Sequence, residues 1–424
     1  MENMQVSSPG KKIKKIRKEF NIKQQDLTGG EITRNLISML ENDKINLTFT
    51  TAKIIAQQLN KICKKRNSDF KITPEYLLES VDDQANKIAL DFLNYLNNID
   101  YNIPSDFKDK INQIQKFFMK HDIYENKFNI YKKIGDIFKE NKLYYNAYSY
   151  YLKAFEHSSR LINNKVKIDL LISLSFCCGR INKYKKVLDF DKLALTYIDE
   201  MPENIHYAIR LNNSLAYKNL KYYDKALKEL DFMSKTFKTP ILREFEVLTL
   251  KGNCLKEKKH YTEAIKTHKT LLSIIDEHNI EKIFIIYCNI IEVYIELKDI
   301  TNLKIYLNKC ISLLKQYNEI EYKAYCAEIY NDMGLGYKEL DELDMSKHFF
   351  YKAIKVGKEQ RKLSPIISAL NNLFKLLCEI EDDIEINNLK NAVLELISID
   401  ILSKNDDIIL KLIKYYNEKG QKKK

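Results

Sequence analysis

The sequence predicts an all-α protein, and its composition and internal repeats support this prediction. The 424 residues include only 10 Gly and 6 Pro, whereas folds rich in strands and hairpins need both residues in their tight turns. Hydrophobic residues make up 45% of the chain, which is enough for a packed core and excludes a disordered protein. From about residue 128 onward, apolar and aromatic residues recur at helical spacing in segments that resemble one another. We therefore expect helices throughout, most of them in repeated units.

Residues 1–71 are predicted to form a small basic domain of short helices. The expected elements are Lys11–Phe20, a helical turn at Lys23–Thr28, Thr33–Asn42 and Thr48–Ile62. The apolar residues at helical spacing are Ile13, Ile16, Phe20, Leu36, Ile37, Leu40, Phe49, Ala52, Ile55, Ala56 and Leu59. The domain carries 15 Lys and Arg against 7 Asp and Glu. This excess suggests contact with a polyanion, although Lys is abundant throughout and a compositional bias would also explain it.

Residues 72–126 are predicted to connect this domain to the repeats through two helices. Thr73 and Pro74 offer a capping residue followed by Pro at the first helical position, which is a common helix start. Pro104 separates the first helix from the second. This connecting region is therefore expected to be helical but not part of the repeats.

Residues 127–424 contain the repeats. The segments at 129–155 and 329–354 align so that Gly135 pairs with Gly334 and Tyr151 with Phe350. Two further segments share the pattern in part, with Gly252, Ala264, Ser214 and Ala226 in the small-residue slots. Small residues are expected where two helices cross closely, and aromatics where the wedge between them is filled. Divergent units at Leu171–Ala194, Tyr287–Cys310 and Ala369–Val393 bring the number to about seven, with a polar helix at Asp406–Glu418 as a cap.

This pattern resembles the tetratricopeptide repeat. The resemblance implies a right-handed superhelix whose concave surface, built from the first helix of each unit, binds extended peptides or protein partners. An Asn amide can both donate to and accept from a peptide backbone. The candidate peptide-binding residues are Asn212, Asn253, Asn289, Asn331, Asn371, Arg180, Lys218, Lys256 and Lys338. Asn331 is the strongest candidate because its unit is intact; the alternative is that these Asn residues simply face water.

The N-terminal domain resembles the lambda-repressor-like helix-turn-helix family. The resemblance rests on the stretches IKKIRKEFNIKQQDL, ITRNLISMLENDK and LTFTTAKIIAQQL, with Asp43 where the family has Gly. It implies that Gln24 contacts a phosphate and that the third helix reads the major groove of double-stranded DNA. The candidate DNA-binding residues are Gln24, Thr33, Arg34, Asn35, Ser38, Lys44 and Asn46. The alternative is a small helical cap on the repeats with solvated charges.

Neither an active site nor a cofactor or metal site is expected. The eight Cys form no Cys-x-x-Cys pair and have no His at metal-ligand spacing, so free thiols in a reducing cytoplasm are expected. His260 and His268 are expected at a surface or an interface. No Gly-rich phosphate loop, nucleophile elbow or paired-carboxylate motif is present. Because the chain has neither a signal-peptide pattern nor a long apolar run, a soluble cytoplasmic protein without membrane contact is expected.

The whole architecture resembles the peptide-responsive quorum-sensing regulators of Gram-positive bacteria, the Rgg, Rap, NprR, PlcR and PrgX group. The resemblance implies a dimeric transcription regulator whose repeat domain binds a short signalling peptide and thereby changes superhelix curvature or dimer geometry. One alternative is an interaction adaptor that sequesters another regulator or a kinase, as in the Rap branch. Another is a repressor of phage or toxin–antitoxin type. The peptide, the operator and the sign of the response are left open by the sequence.

Overall fold

The computed structural model describes residues 6–65, 71–99, 102–160, 163–237, 241–316 and 325–422. Across these ranges it contains 21 α-helices, two short 3-10 segments and no strand, which confirms the all-α prediction. The chain divides into two compact units, Met1–Pro202 and Glu203–Lys424.

The first unit begins with a small helical domain. Its helices are α1 (Pro9–Glu19), a 3-10 segment (Gln24–Leu27), α2 (Arg34–Glu41) and α3 (Phe49–Lys65), as the sequence predicts. The core of this domain contains Ile13, Ile16, Ile22, Leu27, Ile37, Leu40, Ala52, Ile55, Ala56 and Leu59. Phe49 differs from the prediction: it is the first residue of α3 and is 56% exposed, and the buried residues of this helix begin only at Ala52.

The connecting region holds three helices, so the prediction of two was wrong. They are α4 (Pro74–Leu78), α5 (Val81–Asn97) and α6 (Phe107–Phe118). The first expected helix is interrupted because Ser80 and Asp83 form a capping box. The Asp83 amide donates to the Ser80 hydroxyl at 3.0 Å, and the Ser80 amide donates to the Asp83 carboxylate at 3.1 Å. This pair satisfies exposed amides and starts a new helix.

The remaining helices form seven consecutive antiparallel pairs within the described ranges, in agreement with the expected number. The first unit contains α7 (Tyr124–Glu140), α8 (Tyr144–Ser158), α9 (Asn164–Arg180) and α10 (Tyr184–Ala194), then a 3-10 segment (Leu195–Glu200). The second unit contains α11 (Glu203–Asn219), α12 (Tyr223–Thr236), α13 (Ile241–Glu257), α14 (Tyr261–Ile274), α15 (Ile280–Leu297), α16 (Ile300–Gln316), α17 (Cys326–Glu339), α18 (Leu343–Glu359), α19 (Leu363–Glu379) and α20 (Asp383–Ser398).

A last helix, α21 (Asp407–Lys422), follows the pairs. The expectation that it is polar was wrong. Ile408 and Leu412 are buried on one face, while Leu410 is 63% and Ile413 is 52% exposed on another. Apolar residues at these four positions cover too wide an arc of the helix for one packed face to bury them all.

The predicted small and aromatic slots pack as expected. A Cβ added to Gly135 would lie 2.6 Å from the Tyr151 ring, and one added to Gly334 would lie 2.6 Å from the Phe350 ring. The same relation joins Gly252 to His268. His268 is fully buried, so the expectation that it lies at a surface or an interface was wrong. It occupies the slot that an aromatic ring fills in the other two pairs.

The turns inside the pairs explain why so few Gly residues suffice. In each of the seven turns, one residue other than Gly has a positive φ of 54° to 63°. These residues are Lys142, Asn182, Lys221, Lys259, Lys298, Asp341 and Glu381. Side chains strain the left-handed region. The chain therefore carries this strain in its turns where Gly would relieve it.

The described cysteines carry free thiols, and all are buried except the half-buried Cys378. Burial raises the pKa of the Cys254 thiol to about 11. None of the described helices is both long and apolar enough to span a bilayer. In the same ranges, no group of three or more His, Cys, Asp or Glu side chains is placed to hold a metal ion.

Candidate functional sites

The outward face of α2 presents the residues predicted to read DNA. Thr33 caps the helix, because its hydroxyl accepts from the Leu36 amide at 3.2 Å. Arg34 and Asn35 in the first turn are exposed, and Ser38 one turn later is half-buried. Ile37 and Leu40 point into the core. The helix is therefore held by its apolar face while its N-terminal polar residues remain available to a ligand.

Gln24 is placed differently from an exposed phosphate ligand. Its amide nitrogen donates to the Glu41 carboxylate at 2.9 Å, and Arg17 donates to the same oxygen at 2.9 Å. Burial alone would raise the pKa of Glu41, but hydrogen bonds from Arg17 and Gln24 outweigh it and the pKa is lowered. The three side chains fix the end of α2 against α1 and the 3-10 segment.

The turn after α2 supports the remaining DNA candidates. Asp43, which stands where the resembling family has Gly, adopts a φ of 54°. Its carboxylate accepts from the Ser8 hydroxyl at 2.6 Å, and Asp is one of the residues that tolerate this conformation best. Lys44 and Asn46 follow it and are both exposed. The turn therefore retains its left-handed geometry without Gly.

The second unit contains a cavity of about 440 Å³ between the first helices of four pairs, α11, α13, α15 and α17. Its apolar walls come from Leu211, Leu215, Phe245, Leu250, Ile285, Cys288 and Ile329. Its polar lining comes from Lys218, Glu246, Thr249, Asn253, Asn289, Tyr325, Glu328 and Asp332. All but Tyr325, which immediately precedes α17, lie on first helices of pairs, as expected for a concave surface.

Several polar atoms of this lining are buried without a hydrogen-bond partner in the described structure. They are Thr249 Oγ1, Asn253 Oδ1, Asn289 Nδ2 and Glu328 Oε2. An unpaired buried polar group costs about 1–3 kcal/mol. A ligand with its own donors and acceptors would remove this cost, whereas an apolar ligand would not.

The cavity brings together only some of the predicted peptide-binding residues. Lys218, Asn253 and Asn289 line it, whereas Asn212, Asn331, Asn371, Lys256 and Lys338 are outside its lining and Arg180 belongs to the first unit. Lys338 pairs with Glu379 at 2.6 Å. The Asn371 oxygen accepts from Lys411 at 2.7 Å.

The residue regarded as the strongest candidate, Asn331, is only 6% exposed. Its side-chain oxygen accepts from the Asn372 amide at 3.0 Å, and its nitrogen donates to Asp332 at 3.5 Å. The acidic lining residues Glu246, Glu328 and Asp332 were missed by the sequence analysis. The signal that could have found them is their position on first helices, on the same side as the chosen Asn residues.

Comparison with known proteins identifies the N-terminal domain. Residues 13–61 match a helix-turn-helix family (HTH_3). The N-terminal domain is a helix-turn-helix domain. No curated protein sequence matches the chain.

Solved structures extend the comparison to the repeats. The fold is similar to that of the apo quorum sensor NprR from B. thuringiensis, with a TM-score of 0.51, 16% identity, and coverage of 91% of this chain and 99% of that one. It is also similar to apo RapI, with a TM-score of 0.50, 12% identity, and coverage of 92% and 99%. At these identities the likeness shows a shared fold: helical repeats that accompany the helix-turn-helix domain in this chain.

Proposed function

We propose that this protein is a DNA-binding transcription regulator whose repeats bind a short signalling peptide that alters DNA binding. Residues 1–71 would contact DNA, 72–126 would connect, and 127–424 would bind the peptide and form a homodimer. The observation that carries the proposal is the combination of a helix-turn-helix domain with an apolar cavity that holds unpartnered polar atoms. The fold likeness to NprR, which is described as a quorum sensor, supports it.

The DNA-binding part of the proposal assigns base recognition to Arg34 and Asn35. A helix-turn-helix domain places the N-terminal residues of its recognition helix against base edges in the major groove. Arg can bind guanine and Asn can bind adenine through two hydrogen bonds each, and a good pair of this kind contributes about 1–3 kcal/mol of discrimination. Ser38 and Thr33 border these residues, while Lys44 and Asn46 would contact phosphates, which position the protein without reading sequence.

The test of DNA binding begins by selecting a duplex from a random library with the full-length protein. Arg34→Ala and Asn35→Ala should then each weaken binding to that duplex by about 5- to 150-fold in fluorescence anisotropy, in line with one lost base contact. Lys61→Ala, which removes one positive charge from the exposed surface of α3, is the matched control and should change affinity little. Wild-type affinity in both α2 variants would refute the assignment of the recognition helix.

The peptide-binding part of the proposal rests on the unpartnered polar atoms of the cavity. An extended peptide has one backbone donor and one acceptor per residue, and both need partners once water is excluded. Asn253 and Asn289, on neighbouring first helices, offer an acceptor and a donor for this purpose. The apolar walls would then select side chains. Asn253→Ala combined with Asn289→Ala should abolish the effect of a bound peptide on DNA affinity while DNA binding itself survives.

The proposed homodimer is supported by the exposed apolar residues near the C-terminal end of the second unit. Ile384 is 78%, Leu394 is 56% and Leu410 is 63% exposed. A helix-turn-helix dimer reads two half-sites about one helical turn apart or at multiples of that distance. Light scattering of the full chain should give twice the monomer mass, and Leu410→Lys with Ile413→Lys should give the monomer. A wild-type monomer at tens of micromolar (about 10⁻⁵ M, weak for a specific interface) would refute the dimer.

A further inference from the structure

The lining of the cavity in the second unit is unbalanced in charge. Glu246, Glu328 and Asp332 contribute three carboxylates, and Lys218 is the one basic residue among the lining side chains that the structure describes. Glu246 is exposed to solvent, whereas Glu328 and Asp332 are half-buried, and charges that are withdrawn from water need a partner. Carboxyl groups in the described lining therefore outnumber ammonium groups by three to one.

The nearest other ammonium groups are already engaged. Lys256 pairs with Glu292, to which it donates, and with Glu257 at 3.5 Å. Lys362 approaches one oxygen of Glu328 at 3.7 Å, which is longer than a hydrogen bond. The second oxygen of Glu328 is buried and has no partner in the described ranges. Lys362 therefore forms a loose ion pair with Glu328, and the charge of Lys256 acts on Asp332 from a distance, but neither lysine is placed to donate a hydrogen bond to these two carboxyl groups.

The surroundings of Asp332 disfavour its ionised form. Burial, followed by the nearby Glu292 carboxylate, raises the pKa of Asp332 well above its usual value. The Asn331 amide nitrogen donates to the Asp332 carboxyl group over a long distance, 3.5 Å. A positive charge beside Asp332 would favour its ionised form. The carboxyl groups of Asp332 and Glu328 lie one helical turn apart on α17, so a single cation can meet both.

We infer that the peptide received by this cavity carries an ammonium group, either its free amino terminus or a Lys side chain, that docks between Glu328 and Asp332. The inference rests on the proposed peptide-binding function and adds the chemical class of the ligand. The apolar walls formed by Phe245, Leu250 and Ile329 would receive the apolar side chains next to that group. An ammonium group has three donors and no acceptor, which suits two carboxylates with an unpartnered oxygen.

The test uses the full-length protein, immobilised, and three synthetic pentapeptide libraries randomised over Ala, Leu, Phe, Ser and Asn. The first library has free amino termini, the second is N-acetylated with one Lys at a random position, and the third is N-acetylated without Lys or Arg. Captured peptides are quantified by mass spectrometry. Capture of the first or the second library should exceed that of the third by about tenfold or more, as expected for a charge-assisted hydrogen bond. Whichever of the two is preferred identifies the source of the ammonium group.

Variants test whether Glu328 and Asp332 cause the preference for peptides that carry an ammonium group. Glu328→Gln combined with Asp332→Asn should make capture of the three libraries equal, since the substitutions remove the charge but retain the size and shape of both side chains. Glu277→Gln, at a side chain that is 90% exposed in the same unit, should behave as wild type. Thermal melting followed by circular dichroism verifies that each variant is folded; Asp332→Asn alone, which relieves repulsion from Glu292, is the variant to use if the double variant melts early.

The outcomes distinguish a wrong ligand class from a wrong peptide-binding function. Equal capture of all three libraries would overturn the ammonium inference and leave peptide binding in place. A preference that survives both substitutions would overturn the role of Glu328 and Asp332. Capture of none of the libraries would overturn the peptide-binding function itself, and with it this inference.

Discussion

Asp191 allows the packing logic of the repeats to be tested quantitatively. The side chain lies on α10, is fully buried, and neither carboxylate oxygen has a hydrogen-bond partner in the described structure. It follows Ser175 by 16 positions, the separation that joins Gly135 to Tyr151. Asp191 therefore occupies the slot that a large apolar side chain fills in an intact unit. Burial raises the pKa of Asp191 to about 7, with Ser175 acting in the opposite direction.

The size of the effect follows from linkage between protonation and folding. The unfolded chain has a carboxyl pKa of 3.8 at this position and the folded chain about 7. Below both values the carboxyl is protonated in the folded and the unfolded state, so its titration does not change the stability. Between the two values only the unfolded state loses its proton, so stability falls as the pH rises. One pKa unit corresponds to about 1.4 kcal/mol, so the full penalty above pH 7 is about 4 kcal/mol. Between pH 5 and pH 8 the change is about 3 kcal/mol.

The assay measures urea unfolding of the full chain at several pH values from 5 to 8. Asp191→Asn removes the titration, so the difference in unfolding free energy between this variant and the wild type should grow by about 3 kcal/mol from pH 5 to pH 8. Asp191→Leu should stabilise more, because Leu230 fills the equivalent slot 16 positions after another buried serine, Ser214. Asp189→Asn, at a side chain that is 63% exposed, is the control and should show a constant difference.

Parallel pH profiles for the wild type and Asp191→Asn would refute the reasoning, because they would mean that the carboxylate keeps an ordinary pKa in the folded protein. Destabilisation by Asp191→Leu at pH 8 would refute the assignment of the slot. Other groups that titrate over this range cancel in the difference between the two proteins. The comparison thus isolates one side chain.

Three further features of the fold can be tested by thermal or urea unfolding. Lys259→Gly should stabilise the protein by about 1 kcal/mol because it relieves a φ of 63°, whereas Lys269→Gly, in the exposed middle of α14, should destabilise it by about 1 kcal/mol; equal signs would contradict the turn argument. Burial lowers the pKa of His268 to about 4, so this residue by itself removes stability as the pH falls from 6.5 toward 4, and the difference in unfolding free energy between His268→Phe and the wild type should grow over that interval; a constant difference would contradict the assignment. Lys12 is 5% exposed and donates to the Glu79 carbonyl at 3.0 Å and its carboxylate at 3.2 Å, so Lys12→Met should cost about 2–4 kcal/mol; a smaller loss than that of an exposed Lys→Met variant would contradict this.

The helices and their pairing could be predicted from the sequence because each depends on local spacing. A Gly in one helix and an aromatic residue 16 positions later, as in Gly334 and Phe350, specify a close crossing without any distant information. The interruption between α4 and α5 could not be predicted as easily. A favourable helix pattern continues through Ser80, and only the competing capping box ends one helix and starts the next.

In the helix-turn-helix domain, the sequence predicted which side chains are exposed but not which side chains contact one another. The pattern correctly placed Arg34 and Asn35 outward and Ile37 inward, because apolar spacing decides which face is buried. It did not show that Gln24 would be engaged by Glu41, since that contact joins two elements across a turn. The proposed phosphate contact of Gln24 therefore has to coexist with a hydrogen bond inside the domain.

Most of the residues that line the cavity could not be predicted from the spacing of residues along the sequence. Apart from Tyr325, its polar residues come from four helices spread over more than a hundred positions, and their convergence depends on how successive pairs stack. Within one helix, adjacent residues differ in direction by about 100°, which is enough to exchange Asn331 for Asp332 as the residue that faces the cavity. Asn331 still holds a position between Asn372 and Asp332, with hydrogen bonds to both. In the proposed complex, Asn331 would not contact the peptide but would orient the carboxyl group of Asp332, the neighbour that the sequence did not single out.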